Sequence, residues 1–270
     1  MASAFGTTYR FREPGTPGRV ARWACLSSAA ILSVTGIVAI TRAVSDAEWQ
    51  VRLFLPPEGS SAQPAFSTVY PGAIGAVVWV GSLAFLATAV CWLVWQARAY
   101  ENLWAVPGPS VPTHKPGMAV IWWFIPFANL VMPYVCVREL ATISAARAGS
   151  TPRRALPRVW WALFLAASVA SVVAAAWPWV LIVAQVADAG DKVLGATYVV
   201  DLSPVAWGIG VWHLILAAAA LAGAMVVGDI ERHQGSITGV EGGPTGPVPL
   251  PSGPDAPAPP RPDLGLTRRG

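Results

Sequence analysis

Long uncharged apolar runs, separated by short polar stretches, organise this chain. A helix needs about 20 mostly apolar residues to cross the hydrocarbon of a bilayer. The first such run, Trp23 to Thr41, carries no charge and follows Arg10, Arg12, Arg19 and Arg22. The second, Gly72 to Ala97, is also uncharged; between the two lie Pro56, Pro57, Gly59, Ser60 and Ser61, the residues of an exposed loop. A third run, Val159 to Ala187, would make roughly 43 Å of helix at 1.5 Å per residue. That exceeds the hydrocarbon thickness, so it should tilt or bend, with Pro178 the place for a bend. Trp160 and Trp161 at one end and Trp177 and Trp179 at the other read as two interfacial belts. The last run, Pro204 to Gly228, stops at Asp229, Glu231 and Arg232. The pattern predicts an all-α polytopic transmembrane bundle with four full crossings, near residues 23–41, 72–97, 159–187 and 204–228.

The segment Gly117 to Val137 is apolar enough to cross but contains Pro126, Asn129 and Pro133. Two prolines remove backbone donors, so it should be a broken helix. Broken backbone at membrane depth survives only where protein or water satisfies it. Charge chooses its path. The arm 1–22, the loop 98–115 and the loop 138–158 carry 4, 2 and 5 Lys/Arg, whereas the loops 42–71 and 188–203 together carry 3, with six acidic residues. If 117–137 dips in and returns, every basic loop is cytoplasmic with both termini inside; if it crosses, there are five crossings and the most basic loop lies outside. The re-entrant or interfacial path satisfies the positive-inside tendency and is the reading adopted. Ala43-Val44-Ser45 resembles a small-residue cleavage site, but the preceding run is longer than a signal peptide's and Arg42 intrudes, so an uncleaved helix is expected.

Three parts follow: a basic cytoplasmic arm over 1–22, a transmembrane domain over 23–233 and a tail over 234–270. In the tail, nine prolines fall within 19 residues between Pro244 and Pro262. Such a stretch cannot bury enough surface to offset its ordering, so a disordered, polyproline-rich cytoplasmic tail is expected, with a protein partner's groove as its conceivable target.

Composition narrows the function classes. The chain is 54% hydrophobic and 12% charged, against about 25% charged in a typical soluble domain. Its net charge of +4 sits beside apolar runs rather than on one face of a soluble fold, so nucleic acid is not an expected partner. Cys25, Cys91 and Cys136 each lie within an apolar segment, which points to neither disulfide nor zinc. No nucleophile elbow, phosphate-cradling glycine loop or His/Glu zinc motif is present. No catalytic, cofactor-binding or metal-ligating residue is therefore assigned, and a non-enzymatic role is expected.

The candidate polar cluster is Arg98, Asn102, Asn129, Arg138 and Glu139. Arg98 and Asn102, four apart, share a helix face; Glu139 is expected to pair with Arg98, and Asn129 to tie the broken segment to a neighbour. Such polar groups near hydrocarbon need partners, so a structural network is the first reading and a pocket for an anionic lipid or metabolite the second. Arg147, Arg153, Arg154 and Arg158 form a basic loop expected to face anionic headgroups. His213, the one imidazole within a crossing, is expected to be neutral and bonded to a neighbouring helix. Ala166, Ala170 and Ala174, and Ala219 with Gly223, have the spacing for close helix approach. The outer acids Asp46, Glu48, Asp188, Asp191 and Asp201 show no catalytic spacing.

Gly117, Ala119 and Val120, then Trp122-Trp123-Phe124-Ile125-Pro126, Asn129-Leu130 and Pro133, resemble the signature of the membrane family DUF4328, a domain of unknown function. Trp95, Arg98 and Asn102 are similar to that family's Trp-x-x-Arg-x-x-x-Asn, and Trp160-Trp161-Ala162-Leu163 to its next helix start. The resemblance runs over roughly Gly72 to Gly228. Val131 and Ala141 stand where the family would have Trp, and Tyr100 where a second basic residue is frequent. It implies a multi-span protein of a bacterial, mainly actinobacterial, cytoplasmic (inner) membrane, and no activity. Two expectations result: a scaffold or partner- and lipid-binding membrane protein, or a small transporter or channel whose broken segment lines a cavity.

Overall fold

A computed structural model describes residues 15–45, 50–54, 56, 61, 65–69, 72–106, 108, 110–189, 197–201 and 203–240. Six α-helices and three short strands follow one another as α1 (Gly15–Ser45), β1 (Gln50–Phe54), β2 (Ala65–Val69), α2 (Gly72–Ala105), α3 (Pro116–Ile121), α4 (Met132–Arg147), α5 (Ala155–Ala189), β3 (Thr197–Asp201) and α6 (Ser203–Val240). Four of them, α1, α2, α5 and α6, are long and apolar enough to cross a membrane. Segment 117–137 is not among these spans; it folds as α3, a tight turn, a 3-10 turn at Ala128–Leu130 and the start of α4. The chain is a multi-pass helical membrane protein. Outward side chains such as Val34, Leu86, Val172 and Val183 remain exposed, which a soluble surface would not tolerate in such number.

The long helices alternate in direction. Thr88 of α2 bonds the carbonyl of Ala24 in α1, and Ser28 of α1 that of Ala84 in α2. Near the opposite end of α1, Gly36 meets Gly210 of α6 so closely that a Cβ on either would stand 2.9 Å from the other's carbonyl oxygen. Gly223 of α6 touches Trp160 near the start of α5, while Val205 and Ala206 pack with Leu181 and Ile182 near its end. The helices thus form an arc in the order α2, α1, α6, α5, and α2 and α5 flank an opening. The Ala166, Ala170 and Ala174 stripe is only half-buried or exposed, whereas Ala219 and Gly223 do lie in the interface.

The largest core sits at the end where α3 and α4 attach. It gathers Trp92, Trp95, Tyr100 and Leu103 of α2, Leu140 of α4, Trp160 and Trp161 of α5 and Ile230 of α6. Trp160 and Trp161 are buried against protein: both meet Trp123 of the segment between α3 and α4, at 6.4 and 6.1 Å, and Trp160 stacks on Trp92 of α2 at 4.7 Å.

At the other end, the two connections read as loops contribute a three-stranded antiparallel sheet in the order β2-β1-β3. Val51 stands opposite Thr68 on one side and Val200 on the other. Gln185 of α5 extends the lacing, bonding both the N–H and the carbonyl of Asp201. The Asp201 carboxylate accepts hydrogen bonds from the N–H and hydroxyl of Ser203 and so caps the start of α6.

α6 runs on past the expected boundary at 233, and Gln234, assigned to the tail, is buried. α1 begins at Gly15, inside the arm expected to run to 22, so Arg19 and Arg22 are helical; residues 1–14 with Arg10 and Arg12, the tail beyond Val240, and Asp46, Glu48 and Asp191 lie outside the described residues. Cys25 and Cys136 are buried and Cys91 half-buried, all as free thiols.

Candidate functional site

The hairpin between α3 and α4 is held from both sides. Gln96 of α2 is fully buried; its Oε1 accepts from the indole N–H of Trp92 at 3.2 Å and of Trp123 at 2.9 Å, and its Nε2 donates to the Ala119 carbonyl at 3.3 Å. On the far side, Trp161 of α5 donates to the Leu130 carbonyl at 3.2 Å, and Trp123 meets the edges or faces of Trp160, Trp161 and Phe164. These bonds give two carbonyls of the broken segment, Ala119 and Leu130, side-chain donors from α2 and α5. The tip between them is apolar and outward: Phe124, Ile125, Leu130 and Val131 are exposed, and Phe127, at φ 64°, is 85% exposed. Pro133 is buried at the start of α4, while Pro126 lies in the exposed turn. Trp95 is buried against Trp92, and Trp122 keeps its indole N–H buried without a partner.

The predicted polar cluster does not assemble as expected. Arg98 pairs with Glu101 at 2.7 Å, one turn away on its own helix, rather than with Glu139. Glu139 instead accepts from the Thr113 N–H at 2.6 Å and the Tyr100 hydroxyl at 2.8 Å, and lies 2.8 Å from Nδ1 of His114. Burial alone would raise its pKa, but the hydrogen bonds from His114, Thr113 and Tyr100 prevail and hold the carboxyl below its ordinary value. Asn102 is buried and donates to Gln234 at 3.3 Å; Gln234 in turn donates to the Ala99 carbonyl and Ser144, joining α2, α4 and α6. Asn129 and Arg138 are exposed, and Asn129 ties the hairpin to nothing among the described residues. Sequence reasoning missed Gln96, Tyr100, His114 and Gln234. An uncharged amide within an apolar run was the available signal for Gln96; Gln234, after the charged Asp229, Glu231 and Arg232, offered none.

Arg147 departs from the basic loop. Its guanidinium donates to the carbonyls of Leu103, Val106 and Ser110 at 2.6 to 2.8 Å. The last carbonyls of α2 have no helical partner and attract a cation, so Arg147 closes that helix end instead of facing lipid.

The other arginines converge. Arg22 of α1, Arg153 and Arg154 of the α4–α5 loop and Arg232 of α6 rim a groove of about 680 Å³. Leu156, Val159, Ala224 and Met225 supply its apolar floor. Arg138 and Arg158 continue the basic surface around Arg153 and Arg154, lining an adjoining space of about 150 Å³ with Thr142. Two carboxylates answer the groove: Asp229, 2.9 Å from Arg232 and 3.6 Å from Arg153, and Glu231, within electrostatic reach of Arg22 and Arg19. Arg154 and Arg158 have no ion pair among the described residues, so positive charge remains in excess. Cationic rim over apolar floor is the geometry of an anionic amphiphile's site.

The sequence family described as Domain of unknown function (DUF4328) matches residues 61–232. The chain belongs to the DUF4328 family. The match takes in the hairpin with its Trp123 and Gln96 anchors and the groove arginines Arg153, Arg154 and Arg232; α1, which supplies Arg22, precedes it. No curated protein and no solved structure matches the chain.

Proposed function

We propose that this DUF4328 protein is a lipid-binding, non-enzymatic protein of a bacterial cytoplasmic membrane that holds an anionic headgroup at its inner face. The convergence of Arg22, Arg153, Arg154 and Arg232 on one apolar-floored groove carries the reading. Anionic lipid is attracted at about 1 kcal/mol per arginine near the surface. In vesicles of phosphatidylcholine with added phosphatidylglycerol, the paired change Arg153→Gln, Arg154→Gln should weaken retention of phosphatidylglycerol about 30-fold. Arg98→Gln, which removes a charge already paired with Glu101, should leave it nearly unchanged. Equal losses in the two variants would reduce the groove to general surface charge.

In this reading segment 117–137 is re-entrant. What supports this is that Phe124 lines the same cavity as Phe85, which lies well inside α2, while both ends of the segment join elements on the basic side. Both termini are then cytoplasmic. A single cysteine at Thr151, with the three native cysteines replaced, should resist a membrane-impermeant maleimide in intact cells and react after lysis. Labelling of intact cells would place the arginine groove outside and overturn the orientation.

The conduit alternative draws on the hairpin's Trp123 and Phe124 lining a cavity. That lining is apolar, however, and suits a hydrocarbon chain better than an ion.

A further inference from the structure

On the face of α6 away from the arginine groove, a cleft runs inward from the opening between α2 and α5. Its half nearer the hairpin, about 210 Å³, is walled by Phe85, Trp92, Trp160 and Phe164 and capped by Trp123 and Phe124. Beyond Leu32, Phe85, Phe164 and Leu216, which line both halves, it continues into about 180 Å³ that reaches Gly81, Ser168, Ser171 and His213. Neither half is lined by a charged residue.

His213 ends this cleft and is only 1% exposed. Its Nδ1 lies 3.3 Å from the Thr35 hydroxyl of α1, so the ring is oriented by the neighbouring helix as expected. Its Nε2 has no protein hydrogen-bond partner among the described residues and points toward Gly81, where a Cβ would stand 3.2 Å from it. Of the serines lining this half, Ser168 donates to the Phe164 carbonyl and Ser171 to that of Ser168, whereas Ser82 is exposed and has no side-chain partner among the described residues. His213 lies ten residues from Ser203 at the start of α6, or about 15 Å of helix, well inside the span that is long and apolar enough to cross. A buried polar nitrogen without a partner is costly there, and a charged partner more so.

We infer that the cleft binds a neutral single-chain lipid. Its chain lies along the aromatic walls toward the hairpin, and one oxygen group shares a hydrogen bond with Nε2 of His213. The surrounding solvent is hydrocarbon, the walls suit an apolar chain, and Nε2 of His213, without a protein partner among the described residues, takes one neutral group. This site is independent of the anionic groove, since the two use different faces of α6 and share no lining residue.

The test uses diazirine-bearing long-chain probes in proteoliposomes of the full chain: an alcohol, a matching ketone and the matching alkane. The alcohol or the ketone should label peptides bearing Phe85, Phe164 and Leu216 roughly tenfold more than the alkane does; whichever oxygen labels better identifies the donor. His213→Leu should erase that preference while alkane labelling persists, and Ala220→Phe, which fills the cleft, should depress all three. If His213→Leu fails to fold, Gly81→Ala, which sets a methyl beside Nε2, serves in its place. Equal labelling by alcohol, ketone and alkane in the unmodified protein, or labelling spread over outward residues such as Val172 and Val183, would overturn the inference.

Discussion

Gly210→Val is expected to drive α1 away from α6 and to lower the thermal unfolding midpoint in detergent by about 10 °C, from roughly 3 kcal/mol of overpacking. A Cβ at this position would stand 2.4 Å from Cγ1 of Ile40 and 2.9 Å from the Gly36 carbonyl oxygen. The first obstacle can rotate; the second is helical backbone and cannot. Helix association in a membrane depends on close packing because lipid tails are as apolar as the side chains they compete with, so losing the approach loses much of the driving force. Gly235→Val is the control, since nothing lies within 4 Å of its Cβ position. A midpoint equal in the two variants would show that the Gly36–Gly210 contact contributes nothing to stability.

The second large effect is Gln96→Leu. One amide answers two indole N–H groups and the Ala119 carbonyl. Leucine leaves all three unmatched in a buried site, at about 1–3 kcal/mol each. Because two of these groups belong to the hairpin, the damage should appear there first. Backbone hydrogen exchange over 123–130 should accelerate at least tenfold while α5 and α6 keep their protection. Unchanged exchange over 123–130 would mean that Trp161 and the aromatic contacts hold the hairpin without Gln96.

The four crossings were legible because an uncharged run of sufficient length has few other fates. Their ends were not. α2 continues from Ala97 to Ala105 and α6 from Gly228 to Val240 because distant side chains support those polar turns: Arg147 bonds the last carbonyls of α2, and Gln234 is held by α2 and α4. The strands escaped notice for a similar reason. Each is five residues long, and β1 finds β3 only after two intervening crossings, α2 and α5, have returned the chain to the same end. The broken segment was recognisable from Pro126 and Pro133, yet its anchor was not Asn129 within it but Gln96 in the preceding helix.

The polar cluster shows where spacing stops being informative. Glu139 is 41 positions from Arg98, and a Glu at i+3 offers the same contact without any folding at all. His114 could be placed only once the α2–α3 connection was seen to fold back over α4. The groove arginines were half visible: Arg153 and Arg154 stood out within a basic loop, but Arg22 and Arg232, from opposite ends of the chain, join them only through the antiparallel pairing of α1 with α6.

The opening between α2 and α5 is fastened at both extremities. On the basic side the hairpin bolts the two helices together through Gln96 and Trp161. On the other, α2 follows β2, β2 joins β1 and β1 joins β3, and Gln185 ties α5 to that last strand. The two helices therefore resemble staves hooped at top and bottom. A guest cannot be admitted by swinging a stave outward; it must slip sideways between the hoops, straight from the surrounding leaflet, past side chains that rotate on their own. For the single-chain lipid inferred above, such a slot would mean exchange with the bilayer rather than with the water on either side.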